Sequence, residues 1–329
     1  MKTNKYALIG LAIAPLFAQA QLADHGGLSG EISVLGGVVS TDSNLSTSGE
    51  ETKNGELNSN GGRETDAIFG ALGKLAFTFG SGLDKQLFVG TSREDIAIGT
   101  IALEAGYKQK FGSGTTITAS YLPTLVNEGI WADPFITNSP RTETEKSGNA
   151  YRFHVSSIGG SPLSVDVAYA ETDIDNEQSG QALGLSQSAQ ASLQRSGDTF
   201  YSKVSYRQFL GRGLGVTPSL IYFNHDADGQ AMSYQAYGGE LTYFSFAGRN
   251  KIVLTGSYQY SEYDAAHPIF GQPREDSKYG VFLAYEYAHL FEIHPLSLVV
   301  LAGYNNTESN IDFYDSRQYL ASAGVNFRF

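Results

Sequence analysis

The last eleven residues, Tyr319-Leu-Ala-Ser-Ala-Gly-Val-Asn-Phe-Arg-Phe329, decide the fold. Every second residue from Tyr319 to Phe329 is apolar or aromatic, whereas Ser322, Asn326 and Arg328 lie between them. An extended strand points successive side chains to opposite faces, so this stretch predicts a strand with one apolar and one polar face. A strand that has lipid on one side and water on the other needs this pattern.

The same alternation recurs along the rest of the chain. Glycine (38), tyrosine (20) and phenylalanine (19) are abundant and there are only nine prolines, which suits many strands joined by tight turns. Tyrosines near the strand ends are typical of the aromatic girdles of membrane barrels. Beyond the N-terminus, no segment reaches the roughly 18 uninterrupted apolar residues of a transmembrane helix. Alternating segments include 115–122, 147–158, 163–171, 250–262 and 277–290.

The connections between these segments alternate in length. Short ones lie at 80–84, 112–114, 159–162, 211–213, 248–250 and 292–295. Longer polar ones lie near 41–65, 93–96, 122–146, 171–198, 225–231, 262–276 and 305–316. Short periplasmic turns and long extracellular loops on opposite rims of a barrel give this rhythm.

These observations predict an all-β fold, a transmembrane up-and-down antiparallel β-barrel of about 14 strands. Both chain ends are expected on the periplasmic side, which requires an even number of strands. The weakest segment is 85–92, which is short and followed by charged residues, and without its hairpin the number becomes 12. Because lipid-exposed backbone groups must all be paired, the sheet is expected to close on itself as a single domain.

The N-terminus predicts export. Lys2 and Lys5 precede a short apolar segment, and residues 18–20 form a small-x-small cleavage site. We therefore expect residues 1–20 to be a signal peptide and residues 21–329 to form the barrel. Loss of the two lysines changes the formal charge from −12 to −14. The location expected is the outer membrane of a Gram-negative bacterium.

Composition excludes several classes of function. There is no cysteine, hence no disulfide scaffold, thiolate metal site or thiol nucleophile. An acidic exported chain lacks the basic footprint that nucleic acid requires, so no nucleic acid is expected as a partner. The expected partners are outer-membrane lipid, lipopolysaccharide, a small solute and the barrel-assembly machinery. The last of these is expected because the terminal aromatic residue resembles the signal that this machinery reads.

Charged side chains on the inward face are candidates for a constriction that selects a solute. The alternative is a salt-bridged, water-filled interior without selectivity. Arg152, Lys203 and Arg207 fall on strands expected near one another, which predicts a basic cluster and a weak anion preference. The lumen candidates are Arg152, His154, Lys203, Arg207, Glu240, Lys108 and Glu104.

The loops hold the remaining candidates. Aromatic residues expected to be exposed there are candidates for ligand binding, namely Trp131, Phe135, Phe313 and Tyr314; interface anchoring is the alternative for the first two. Asn224, Asp226 and Asp228 begin like a calcium loop, but Gln235 occupies the twelfth position, where glutamate is expected. No cofactor is therefore expected beyond a weak calcium site at these three residues.

Catalysis is not expected. A hydrolase would need a Ser–His pair with an orienting group, or an Asp–His pair that activates water. The best histidine is His225 beside Asp226, and no nucleophile motif accompanies it.

Several loop strings resemble a family of Gram-negative outer-membrane β-barrel proteins that is still catalogued as a domain of unknown function. The resemblance covers essentially the whole mature chain and implies a membrane barrel, with no catalytic residues to transfer. The first function expected is a channel or porin-like passage for small solutes. The alternative is a surface receptor, adhesin or envelope-structural barrel with a blocked lumen. The strings are Trp131-Ala-Asp-Pro-Phe135, Arg141-Thr-Glu-Thr144, Asp173-Ile-Asp175, Pro268-Ile-Phe-Gly271 and Ser309-Asn-Ile-Asp-Phe-Tyr-Asp315.

Overall fold

A computed structural model describes residues 22–23, 25–91, 103–124 and 127–329. The predicted signal peptide, 1–20, and the start of the predicted strand 97–111 lie outside these residues. Sixteen strands are present in the described ranges, and all belong to one antiparallel sheet. They are β1 Gly27–Asp42, β2 Arg63–Phe79, β3 Lys85–Thr91, β4 Leu103–Lys110, β5 Thr116–Pro123, β6 Glu128–Trp131, β7 Glu143–Ser156, β8 Leu163–Ile174, β9 Gly197–Tyr206, β10 Gln208–Gly211, β11 Leu214–Ala227, β12 Tyr234–Ala247, β13 Asn250–Ala266, β14 Pro273–Ala288, β15 Leu296–Ser309 and β16 Ser316–Arg328.

The sheet closes into a barrel with 14 positions in its wall. Strands β5 and β6 both pair with β7, and β9 and β10 both pair with β11, so each of these two pairs of strands fills one position. Closure occurs where β1 pairs with β16, from Glu31 opposite Arg328 to Asp42 opposite Arg317. The prediction of a closed barrel of 14 strands is confirmed, and β3 shows that the doubtful segment 85–92 is part of the wall.

The outer face is apolar and edged by tyrosines, as the alternation predicted. In β16 the exposed side chains include Tyr319, Val325 and Phe327, whereas Ser322 and Asn326 point inward and are buried. Tyrosines on adjacent strands contact one another on the outer face, for example Tyr121–Tyr151, Tyr258–Tyr279 and Tyr304–Tyr319, with ring centroids 4.9–5.3 Å apart. These ladders form the aromatic girdle that anchors a barrel at a membrane interface.

The two rims differ in loop length. One rim, which we call the short-turn rim, carries the start of β1, the end of β16 and the turns 80–84, 111–115, 157–162, 212–213, 248–249 and 289–295. The other end is the long-loop rim. In the described ranges, no helix has the length and apolarity to cross a membrane. The α-helix of the long loops, Gln187–Ala191, spans five residues.

Closure of the barrel requires a glycine in β16. A Cβ atom at Gly324 would lie 1.9 Å from the Val34 carbonyl oxygen and 2.8 Å from the Leu35 Cα atom, both on β1. A side chain there would force the first and last strands of the wall apart.

We expect Gly324→Ala to destabilise the barrel by about 1–3 kcal/mol, the usual cost of forcing extra atoms into a packed site. The measurement is the urea midpoint of the refolded protein, followed by the heat-dependent shift in gel mobility. The matched control is Gly256→Ala, because a Cβ atom at Gly256 meets nothing within 4 Å. Equal midpoints for the two variants would contradict the close approach at the seam.

Candidate functional site: the lumen and its loop cap

A cavity of about 1480 Å³ runs through the barrel. At the short-turn rim it is lined by Gly160, Pro162 and Gly213, and at the long-loop rim by Glu128 and Lys146. Its volume exceeds the roughly 300–1,000 Å³ of most small-molecule pockets, so it has room for a solute together with water. The interior of this barrel is therefore not filled by its own side chains.

The seven lumen candidates from the sequence all line this cavity. Alternation along each strand fixes which side chains point inward, so the sequence determines this placement once the strands are known. No contact in the structure tests whether they act as a selective constriction, which stays a prediction.

The centre of the charged wall is a belt of alternating sign. Arg152 binds Asp166 on the neighbouring strand, with Nη2 2.5 Å from Oδ2. Asp166 lies opposite Lys203 in the register of β8 and β9, and the Lys203 ammonium contacts Glu240 on β12. All four side chains are largely shielded from solvent, which strengthens their attraction relative to an exposed ion pair.

This belt corrects the prediction of a basic cluster. Arg152 and Lys203 lie close in the wall as expected, but a carboxylate stands between them, because Asp166 on β8 faces the same lumen. Arg207 lies further along the chain from Lys203, towards the short-turn rim, and is separated from the belt by Ser205.

The other inward candidates surround this belt. His154 lies opposite Asp166 in the register of β7 and β8. Lys108 approaches the face of Phe88, with Nζ 5.0 Å from the ring centroid, and Glu104 lines the same side of the cavity. Among described residues that line the cavity, nine are Lys or Arg and six are Asp or Glu. The lining thus has three more basic than acidic groups, whereas the whole chain carries −12.

An apolar cluster adjoins this belt and was not predicted from the sequence. It comes from strands β12 to β15 and β1, and Phe244, Phe246, Val253 and Leu72 bring it to the surface of the cavity. The lumen therefore has an apolar wall beside the charged belt, although Lys251 and Lys278 also line the cavity on these strands. The buried members of the cluster are Leu35, Phe244, Val253, Phe282, Ala284, Val299 and Leu301.

Long loops meet above the lumen and form a cap. We define the cap as residues 43–62, 132–142, 175–196, 228–233, 267–272 and 310–315, the long loops within the described ranges. Each of these loops contributes at least one residue to a single apolar cluster. The loop 132–142 follows β6 and the loop 310–315 precedes β16, so they start on nearly opposite sides of the wall. Their contact therefore requires that the loops cross the mouth of the barrel.

Phe135 is the centre of the cap. Its ring centroid is 5.2 Å from that of Phe313, 5.3 Å from that of His267 and 6.3 Å from that of Phe270. Phe135 is 2 % exposed and Phe313 is fully buried. Three loops are thus joined through one ring.

Buried polar groups tie the loop 43–62 to the loop 132–142. The Arg141 guanidinium donates hydrogen bonds to the carbonyl oxygens of Asn44 (2.7 Å), Glu50 (3.2 Å) and Glu51 (3.2 Å). It also lies over the Trp131 ring, 4.2 Å from the centroid. Burial lowers the pKa of Arg141 to about 10, so the group still carries its charge at neutral pH.

A buried carboxylate holds the loop 175–196 against the same region. Asp133, 2 % exposed, accepts hydrogen bonds of 3.1 Å from the backbone N–H groups of Phe135, Gly180 and Ala182. The loop 175–196 packs into the cap, where Leu193 is fully buried.

His267 is the one histidine of the described cap residues and is fully buried. Its Nδ1 accepts a hydrogen bond from the Ile269 N–H at 3.3 Å, so Nε2 carries the proton and donates to the Tyr314 hydroxyl at 2.8 Å. Burial, and secondarily the nearby Arg274 guanidinium, lower the pKa of His267 to about 3. The imidazole is therefore neutral at physiological pH.

The cap overturns the expectation that the loop aromatics are exposed. Trp131, Phe135, Phe313 and Tyr314 are at most 6 % exposed, because six loops pack their apolar side chains together above the lumen. Their rings contact one another and Arg141, which leaves no free ring face to stack on a ligand from outside.

The residues of the weak calcium site do not form the loop that their sequence resembles. Asn224 and Asp226 belong to β11, which continues to Ala227, so their side chains follow one another along an extended strand instead of surrounding a centre. Asp226 and Asp228 are exposed. Within the described ranges, no group of three or more His, Asp or Glu side chains is arranged to hold a metal ion.

The His225 neighbourhood differs from the one expected. Its Nδ1 atom lies 2.9 Å from the Thr199 hydroxyl oxygen, and its ring contacts Tyr234. Asp226 follows it on the strand and therefore points to the opposite face.

The fold and its apolar outer band define a transmembrane β-barrel of 14 wall strands with a loop cap. The chain belongs to the family described as Protein of unknown function (DUF2860), whose model matches residues 27–328. This confirms the family resemblance that the loop strings indicated. No curated protein matches the sequence.

Solved structures with a similar fold are outer-membrane proteins. The toluene transporter TodX of Pseudomonas putida is 9 % identical, with a TM-score of 0.45, 99 % of this chain and 98 % of that chain covered. The outer membrane channel DcaP of Acinetobacter baumannii is 10 % identical, with a TM-score of 0.43 and coverages of 92 % and 98 %. OmpT of Vibrio cholerae is 10 % identical, with a TM-score of 0.42 and coverages of 94 % and 99 %. At these identities the likeness concerns the barrel architecture alone.

Proposed function

We propose that this protein is an outer-membrane channel through which small solutes pass, with the long-loop rim on the cell surface. The cavity that runs from one rim to the other carries this proposal. Its charged wall faces water inside a sheet whose outer face is apolar, the arrangement that a conducting barrel requires. In this proposal, solutes pass by diffusion when the cap opens.

The proposal predicts discrete conductance steps in planar bilayers. Purified folded protein is added to one side of the bilayer, and single-channel currents are recorded at both polarities. The matched control is protein that has been heat-unfolded before addition, which must give no steps. A folded barrel that stays closed at all voltages, both in the native protein and in a variant with a weakened cap, would contradict a channel.

Lumen charges predict a weak anion preference despite the acidic chain. Cap and loop acids are screened beyond about 8 Å at physiological ionic strength, whereas lining charges act at close quarters. In a salt gradient we expect a reversal potential on the anion side, moved further by Asp166→Asn and moved towards cations by Arg207→Gln.

The control for selectivity is Arg63→Gln, which changes the total charge equally but lies on the outer face, paired with Asp42. It should leave the reversal potential unchanged. Strong cation selectivity that persists at high salt and does not respond to Arg207→Gln would contradict the placement of Arg207 in the conducting path.

A second function, a surface binding barrel with a blocked lumen, is favoured by one observation, the cap itself. Six loops pack their apolar side chains together above the lumen. The two functions differ in one result: a binding barrel stays non-conducting even when the cap is opened.

A further inference from the structure

The side chains along β9 and β10, a strip of the wall, indicate which class of solute the lumen takes. This inference rests on the proposed channel function. Strand β9, the following Arg207 and strand β10 place Tyr201, Lys203, Ser205, Arg207 and Phe209 on the cavity, in that order from the long-loop rim towards the short-turn rim. Inward neighbours on a strand are about 6.6 Å apart. Two basic groups are therefore flanked by aromatic rings along the path.

Neighbouring strands extend each ring into an aromatic patch. At the end of the strip near the long-loop rim, Tyr201 contacts Phe223 on β11, with ring centroids 5.0 Å apart. At the end near the short-turn rim, the ring centroid of Phe209 is 5.7 Å from that of Phe244. The Phe244 ring in turn stacks on the Phe246 ring, with centroids 5.4 Å apart. All five of these rings line the cavity.

The patch near the short-turn rim continues into the apolar wall. Phe244 and Val253 pair directly in the register of β12 and β13, and both belong to the apolar cluster of the lumen. Passage of simple hydrated ions requires no such surface, and apolar area that faces water costs about 25 cal/mol per Å². A solute that covers these side chains recovers that free energy.

The basic groups of the strip specify the polar end of the solute. A guanidinium presents donors in a fork that matches a carboxylate, and the cavity lining has a basic excess of three groups. We propose that the lumen takes solutes in which one carboxylate is attached to an aromatic or short hydrocarbon group. The carboxylate binds at the level of Arg207, below the Lys203–Glu240 pair, and the apolar group packs against Phe209, Phe244 and Phe246.

The test compares three probes that separate charge from apolar area: benzoate, acetate and benzyl alcohol. Their binding to the full-length folded protein in detergent micelles is measured by calorimetry, with protein-free micelles as the blank. Because benzoate alone satisfies both parts of the strip, we expect its affinity to exceed those of acetate and benzyl alcohol by about tenfold or more. Equal affinity of benzoate with either of the other two probes would overturn the inference.

Two variants test separately the basic and the aromatic residues of the strip. Arg207→Gln should weaken the binding of benzoate and leave the binding of benzyl alcohol unchanged, whereas Phe244→Ser should weaken the binding of both. Arg63→Gln on the outer face is the control and should change neither, and the heat-dependent gel shift checks that each variant is folded. Unchanged benzoate binding in both folded lumen variants would overturn the inference.

Bilayer recordings separate this inference from the proposed function. Selective benzoate binding without conductance, in the native protein and in a cap-weakened variant, supports the solute class and overturns the channel. Conductance that benzoate blocks no better than acetate does keeps the channel and overturns the solute class.

Discussion

Replacing Phe135 with alanine is expected to open the cap and to increase the time that the barrel spends in a conducting state. The ring joins three loops and is almost completely buried. Truncation of a buried phenylalanine to alanine costs about 3–5 kcal/mol, and each 1.4 kcal/mol changes a population ratio tenfold. The ratio of open to capped barrels should therefore rise by about 100-fold or more.

Single-channel recordings measure the open fraction directly. Phe69→Ala serves as the matched control, because Phe69 is 71 % exposed on the outer face and has no role in the cap. The thermal stability of the barrel itself should be preserved in Phe135→Ala, since the wall strands are untouched. An open fraction unchanged from that of the native protein would show that the cap does not limit passage.

Acidification is expected to loosen the cap through His267. The pKa of the imidazole is about 3 in the cap and about 6.5 when exposed, so the opened state binds the proton more tightly. A group whose pKa is lowered on burial destabilises the closed state as the pH falls below the exposed value. The effect begins below about pH 6.5 and is complete near pH 3, and between pH 7 and 5 it amounts to about 2 kcal/mol.

The surroundings of His267 offer no compensation for a second proton. Phe135 and Phe270 contact the ring, and the Tyr314 hydroxyl already accepts the hydrogen bond from Nε2–H. The charge that acts on the ring is that of the Arg274 guanidinium, itself paired with Asp276. A proton on Nδ1 would also face the Ile269 N–H, which now donates to that atom.

Trp131 reports this opening, because it is the only tryptophan of the chain, is 1 % exposed and packs against Arg141 of the cap. We expect its fluorescence to shift to longer wavelength between pH 7 and 5 and to return on neutralisation. His267→Phe keeps a ring of similar size that cannot titrate, so its spectrum should stay constant over this range. A shift of equal size in both proteins would assign the acid response to another group.

The wall of the barrel could be predicted because its pattern is local. Alternation in β16, loop lengths that alternate between the rims and an even strand number together define a closed barrel. The same alternation placed Arg152 and Lys203 inside. Their partners could not be predicted in the same way, since the Lys203–Glu240 pair spans β11 and depends on which long side chains meet across it.

The apolar inner wall was missed although a signal exists. A strand with one wet face should alternate, yet Ile252-Val-Leu254, Val281-Phe-Leu283 and Leu298-Val-Val-Leu301 are unbroken apolar runs. Such runs indicate that both faces of a strand are apolar. In β13, β14 and β15 the inward residues of these runs are Val253, Phe282, Val299 and Leu301, which build the cluster.

The cap could not be predicted because burial there is a property of six loops together. Phe135 and Phe313 are 178 positions apart in the chain and meet only when the barrel is closed. Loop aromatics next to polar residues look the same in sequence whether they face solvent or one another.

With the long-loop rim on the cell surface, as proposed, the shared cap also constrains which substitutions the surface of this protein can accept. Surface loops normally diverge freely, which lets a bacterium escape antibodies and phages by altering one loop at a time. Here a substitution at Phe313 alters the packing of Phe135 and Phe270 on two other loops, so the buried positions are expected to drift only as a set. Exposed tips such as Glu56 and Leu183 lie outside that set and remain the places where antigenic variation, or an inserted epitope, is tolerated.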